Sequence, residues 1–244
     1  YGFRIDHLTD PFSLQAWKFP EPVVWIVTGL WIVGITNAMN LMDGLDGLAA
    51  GIGCIIGATL TFIAFQADET VGVFTGLAFL GALLGFLPYN FPPARIFLGD
   101  TGALFIGYAL ALTSMQGYRK VALLTFVVPL LALAVPLLDT TLSIFRRLRA
   151  GRGIFQPDRM HMHHRLLQKE GTQRRAVLWL YFQTFCFSLI AISFAQLQGV
   201  SAYVFLAAVT ILTIRLLRNL GLFSIEGDRT DSNSPPAGAQ GDQT

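Results

Sequence analysis

The sequence predicts an all-α, polytopic membrane protein, and two observations carry that class. Of its 244 residues, 53% are hydrophobic and only 13% charged, against about a quarter charged in an ordinary soluble domain. The apolar residues also gather into long runs, most of them near the ~20 residues that cross a hydrocarbon core. Seven runs stand out, over residues 23–39, 48–66, 71–87, 103–115, 121–142, 177–197 and 202–217, the fourth being short.

Glycines punctuate these runs. Gly81 and Gly85 stand in a small-xxx-small spacing, which suits close helix packing in lipid. The "GIGCIIG" beginning at Gly51 reads as packing too, because a phosphate-binding glycine loop would follow a strand. Cys54 and Cys186 each fall inside an apolar run, where a thiol behaves as a small hydrophobe; neither a disulfide framework nor a zinc site is expected. Residues 1–225 read as one transmembrane domain. Residues 226–244, "EGDRTDSNSPPAGAQGDQT", are polar and rich in Pro and Gly, and a disordered tail is expected there.

Threading seven spans sorts the connections into two sets. Residues 40–47, 88–102 and 143–176, with the C-terminal end counted from Arg215, carry thirteen of the seventeen Lys and Arg residues, leaving Arg4, Lys18, Arg119 and Lys120 for the other set. Basic residues concentrate in cytoplasmic loops, so the first set is expected to face the cytoplasm. The unusual polar residues lie on that same side.

"NAMNLMDGLDG" holds Asn37, Asn40, Asp43 and Asp46 between two apolar runs. A helix cap needs one such residue, and ionisable groups at membrane depth are costly enough to read as functional. "PYNFPPARIFLGDTG" holds Asn90, Arg95, Phe97 and Asp100. Alone it reads equally well as a proline-rich turn ending in a cap. Beside the first cluster, Asn40, Asp43 and Asp100 form a set of hard oxygen donors of the kind Mg²⁺ prefers, with phosphate completing the shell.

"QPDRMHMHHRLLQKEG" carries His161, His163 and His164 beside Arg159 and Arg165. No Cys or closely spaced carboxylate completes a tetrahedral zinc set. A basic loop resting on anionic lipid is one reading; gripping a diphosphate while charge or protons move is the other. His7, alone on the opposite side, reads as surface. Asp139, near the end of the fifth run, reads as a packing group paired with Arg146 or Arg147.

"ITNAMNLMDGLDGLAAG", "ARIFLGDTGALFIG" and "PDRMHMHHRLL", in this order and separation, resemble the polyprenyl-phosphate N-acetylhexosamine-1-phosphate transferases. The form His161-Met162-His163-His164 resembles the branch that handles N-acetylglucosamine rather than the phospho-N-acetylmuramoyl-pentapeptide branch. The resemblance implies transfer of GlcNAc-1-phosphate from a UDP-N-acetylhexosamine to undecaprenyl phosphate, releasing UMP and starting lipid-linked envelope polysaccharide. It implies a bacterial inner-membrane enzyme with cytoplasmic active-site loops, in contact with the bilayer and not with nucleic acid, and leaves a homodimer open.

Mg²⁺, or Mn²⁺ in its place, is expected on Asp100 with Asn40 or Asp43 nearby. Asp43, Asp46, Asp100, His161, His163 and His164 are the expected catalytic residues. Within that set the resemblance puts Asp46 near uracil and His161, His163 and His164 against the diphosphate or the sugar. Asn37, Asn90, Phe97, Arg159 and Arg165 are expected to bind substrate, Phe97 by stacking on uracil and Asn90 by holding the nucleotide.

The family usually opens with about four further helices and carries an early Asp-Asp pair, which this sequence lacks. The expectation is therefore a chain matching the C-terminal two-thirds of such an enzyme, either a fragment or one half of a split protein. The alternatives are a muramoyl-pentapeptide transferase, an inactive truncated relative, and a transporter, whose polar residues would lie within the spans.

Overall fold

The computed structural model describes residues 4–5, 7–9, 16–116, 124–149, 166–167, 170–195 and 200–219. They form a helical bundle with one small addition, a hairpin of β1 (His7–Thr9) and β2 (Ala16–Lys18) that pairs antiparallel with His7 opposite Lys18. The hairpin adjoins the start of α1 (Glu21–Met42), where Arg4 pairs with Glu21 at 3.2 Å and the Ile5 N–H donates to the Thr28 hydroxyl at 3.0 Å. Pro20 caps α1 and Pro22 lies in its first turn, positions where a missing N–H costs no helical bond.

The other helices are α2 (Leu48–Gln66), α3 (Thr70–Asn90), α4 (Gly99–Gln116), α5 (Leu124–Ala132), α6 (Ala134–Arg149), α7 (Gln173–Ala195) and α8 (Val200–Asn219). Among the described residues, α1, α2, α3 and α7 are long and apolar enough to cross a membrane. The fourth predicted span is longer than its apolar run. Its helix starts at Gly99 and has 18 residues, about 27 Å at 1.5 Å per residue. The fifth span arrives as two helices, α5 and α6, meeting at Leu133. Backbone bonds continue across the junction, from Leu133 to Pro129 and from Leu137 to Leu133, but Pro136 has no N–H to offer, which marks a kink.

The centre is α2, with Leu48, Ile52 and Ile56 fully buried and α3, α4, α5 and α7 packed around it. Its glycines are where neighbours come closest. A Cβ on Gly51 would fall 1.9 Å from the Tyr181 hydroxyl, and one on Gly57 would meet the Phe79 ring at 3.0 Å. Gly107 of α4 lies against α1, where a Cβ would meet Thr36 Cα at 2.6 Å. Gly81 and Gly85 differ from the expectation. They lie on an exposed side of α3, where a Cβ on either would have nothing within 4 Å, because α2 takes the other side of α3.

Trp25, Leu30, Phe65, Phe74 and Phe182 are well exposed. Large apolar groups turned outward around a bundle suit a lipid surround, and the chain is a multi-pass membrane protein. Cys54 and Cys186 are both free. Asp139 is buried and takes part in a polar or electrostatic interaction. The polar tail from residue 226 lies outside the described residues.

Candidate active site

One end of the bundle collects the loop joining α1 to α2, the loop joining α3 to α4, and the start of α7. The first loop begins where α1 stops. The Asp43 N–H turns back to the Asn40 carbonyl at 3.1 Å, and Gly47 takes φ +74°, a left-handed backbone that favours glycine. A Cβ there would also meet Phe91 Cα and Pro92 Cδ at 3.2 Å. The second loop folds over Tyr89, whose carbonyl accepts the Arg95 and Ile96 N–H groups at 2.8 and 3.1 Å.

Side chains then lock the two loops together. Asn90 is only 2% exposed; its Oδ1 accepts the Gly47 N–H at 3.1 Å and its Nδ2 donates to the Ile96 carbonyl at 2.9 Å. Asp46 Oδ2 accepts the Ala94 N–H at 3.0 Å. The motifs assign both residues to the nucleotide. In the structure Asn90 spends its amide oxygen on the first loop and its amide nitrogen on its own loop, and Asp46 spends one carboxylate oxygen on the joint between them.

The acidic residues converge on this joint. Asn40 Nδ2 donates to Asp100 Oδ1 at 3.4 Å across 60 residues of sequence, a bond that does not use the Asn40 amide oxygen. Asp100 lies in the first turn of α4 and is exposed, where its charge complements the positive helix end. Burial pushes the Asp43 carboxyl up to about 6, helped by the negative charges of Asp100 and then Asp46. Among the described residues no three His, Cys, Asp or Glu side chains are grouped to enclose a metal.

Phe97 is 73% exposed beside this cluster. Asn37 is one turn further into α1, with its Nδ2 donating to the Val33 carbonyl at 2.8 Å. Arg159, His161, His163, His164 and Arg165 lie outside the described residues. Two residues that the motifs did not single out complete the site end. Tyr181 of α7 donates its hydroxyl to the Gly47 carbonyl, and Arg174 Nε donates to the Pro92 carbonyl at 2.7 Å. Their spacing of seven puts both on one face of α7, but nothing in the sequence marks either as a partner of the loops.

The family model for glycosyl transferase family 4 matches residues 1–118. The chain is 44% identical over 191 residues to a probable undecaprenyl-phosphate N-acetylglucosaminyl 1-phosphate transferase of Bacillus subtilis (strain 168), covering 78% of this chain and 52% of that protein. It is 43% identical over 169 residues to a decaprenyl-phosphate N-acetylglucosaminephosphotransferase of Mycobacterium tuberculosis (strain ATCC 25618 / H37Rv), covering 61% and 42%. A phospho-N-acetylmuramoyl-pentapeptide-transferase of Latilactobacillus sakei subsp. sakei (strain 23K) is 43% identical over 110 residues, covering 45% and 33%. The chain thus spans about half the length, or less, of the curated relatives it matches. Residues 1–118 carry the match to glycosyl transferase family 4, and the similarity to the Bacillus subtilis protein runs over a longer stretch than that.

Proposed function

We propose that the protein carrying this chain transfers an N-acetylhexosamine-1-phosphate, GlcNAc-1-phosphate first among them, from a UDP-sugar to a polyprenyl phosphate at the cytoplasmic face of a bacterial inner membrane. The observation that carries the reading is the Asn40–Asp100 contact, which unites two acidic motifs 60 residues apart at one end of an apolar bundle. The names of the relatives supply the substrate class. The match to the N-acetylglucosamine enzyme of Bacillus subtilis runs 191 residues at 44% identity, against 110 to 150 residues at 43% to 36% for muramoyl-pentapeptide enzymes, which favours the first donor.

In the reaction an oxygen of the acceptor phosphate forms a bond to the sugar-side phosphorus of the donor. The bond from that phosphorus to the bridging oxygen breaks, and its electron pair leaves with UMP. Asp100 and the Asn40 amide oxygen would hold Mg²⁺. A sparse set of this kind fits an ion that commonly takes one or two carboxylates and leaves the rest of its shell to water and phosphate. When bound, Mg²⁺ would neutralise charge on the bridged phosphates.

Asp43, raised to about 6 by burial and by the charges of Asp100 and Asp46, would serve as the base that takes a proton from the acceptor phosphate. The exposed Phe97 ring offers a stacking face for uracil. Arg159, Arg165 and the His161, His163 and His164 group would meet the diphosphate.

The test is a donor panel on membranes containing the protein, with undecaprenyl phosphate, Mg²⁺ and radiolabelled UDP-sugars. Lipid-extractable label is expected from UDP-N-acetylglucosamine or another UDP-N-acetylhexosamine and not from UDP-muramoyl-pentapeptide. The reverse preference would overturn the donor assignment, and no transfer from any donor would overturn the reading.

A further inference from the structure

The loops that hold Asn40, Asp43, Asp46 and Asp100 are bonded to each other, and helix α7 fixes the pair to the rest of the bundle at two points. The Tyr181 ring lies in the notch left by Gly51, where any side chain on α2 would collide with it. From that notch the hydroxyl reaches the Gly47 carbonyl, the same carbonyl that accepts the Gly51 N–H at 2.9 Å and opens α2. Seven residues earlier, Arg174 Nε reaches the Pro92 carbonyl at 2.7 Å.

The two anchored peptides are neighbours of the acidic residues in chain and in space. Gly47 follows Asp46 directly, and its N–H is held by Asn90. Pro92 is two residues from Ala94, whose N–H is held by Asp46. A shift of α7 would therefore pull on both loops together. Helix α7 lies wholly outside residues 1–118, the stretch that carries the family match.

We propose that Tyr181 and Arg174 are positioning residues, a two-point strut on α7 that sets the separation of the two acidic loops through the Gly47 and Pro92 carbonyls. The inference rests on the transferase reading for its consequence in catalysis, not for the strut itself. Both side chains donate to backbone carbonyls. Each acts on the backbone that carries the carboxylates, and displacements of about 1 Å at such a site can cost about 100-fold in rate.

Tyr181→Phe is the informative variant, because the ring still fills the notch while the donor to Gly47 is gone. Arg174→Gln removes the guanidinium at the other anchor. Amide hydrogen exchange followed by mass spectrometry, on the full protein in detergent or nanodiscs, reads the strut directly. Tyr181→Phe should speed exchange over residues 43–51, and Arg174→Gln over residues 90–98, with α3 and α8 unchanged. In the transfer assay each variant should lose roughly tenfold in kcat while donor KM and the thermal transition stay near wild type.

If neither variant speeds exchange in the loop it anchors, the strut is wrong. If kcat falls only in step with a lower thermal transition, the residues are structural and the positioning role is wrong. Wild-type protein that transfers nothing would defeat the transferase reading instead, and the exchange result would still decide the strut.

Discussion

Helices α2 and α3 are alike in composition, both apolar and both rich in glycine. Yet Gly51, Gly53 and Gly57 of α2 all meet neighbours, whereas α3 sets Gly76, where a Cβ would meet the Thr61 hydroxyl of α2 at 2.2 Å, against a pair that meets nothing. In α2, Gly51 and Gly57 are the points at which Tyr181 and Phe79 make their closest approach. In α3, Gly81 and Gly85 face open space. The difference shows that a small-residue spacing marks a smooth helix surface and says nothing about its occupant. What distinguishes α2 is its place between α3, α4, α5 and α7, which no local pattern encodes. The same central helix begins at Gly47, so its packing and the geometry of the acidic loops are one problem.

Substitutions at these glycines should separate the two cases. The largest effect is expected at the close crossing of α4 on α1, where Gly107→Ala would drive a Cβ to 2.6 Å from Thr36 Cα. Backbone cannot rotate away as a side chain can, and overpacking of this kind costs about 1–3 kcal/mol. Thermal unfolding in detergent should report a clear drop.

Gly47→Ala comes next. Its left-handed backbone at φ +74° carries a penalty of roughly 1–2 kcal/mol for any L side chain, and contacts at 3.2 Å to Phe91 and Pro92 add to it. Transfer activity should fall together with stability, since the neighbouring residue is Asp46.

A pH series sharpens the account at the loop itself. Asp43 rises from its ordinary 3.8 to about 6 through burial and then through Asp100 and Asp46. A carboxyl that binds its proton more tightly when folded makes the ionised form a cost to stability. That cost is full above about pH 6 and vanishes below the unfolded value. Asp43→Asn, with divalent cations chelated, should raise the thermal transition at about pH 8. The gain should shrink as pH falls from about 6 to about 4. A gain that grew toward low pH would contradict the assignment of the charge cluster.

The smallest effect is expected from Gly81→Ala and Gly85→Ala. With open space at both Cβ positions, only helix propensity changes, and Ala is favoured over Gly by roughly 0.5–1 kcal/mol. A loss as large as that from Gly107→Ala would mean that another helix covers this side of α3 in the intact protein.

Much of this is legible in the sequence. Apolar run length locates the helices, because lipid imposes that constraint residue by residue. Asp43, Asp46 and Asp100 stand out because carboxylates between membrane spans are costly, and Asn40 stands out as a polar residue beside them. Asn90 is legible as unusual but not in its task, since an amide that clamps backbone looks the same in sequence as one that binds a ligand. Tyr181 and Arg174 are not legible as partners of the loops. Their contacts span 134 and 82 residues, and a lone Tyr or Arg in a helix carries no motif. The break between α5 and α6 at Leu133 falls within a long apolar stretch, where Pro129 and Pro136 are the hint.

We propose that the two acidic loops, joined at Asn40 and Asp100, form one site for phosphoryl transfer. The most direct measurement is Mg²⁺-dependent formation of lipid-linked GlcNAc-1-phosphate by wild-type protein and by Asp100→Asn, assayed alongside thermal unfolding of each. Asn keeps the size and much of the helix-end complementarity of Asp while removing the charge. The account predicts a loss of at least about 100-fold in transfer with the thermal transition unchanged. Near-normal transfer by Asp100→Asn would contradict it, leaving Asp100 as no more than a well-placed charge at the start of α4.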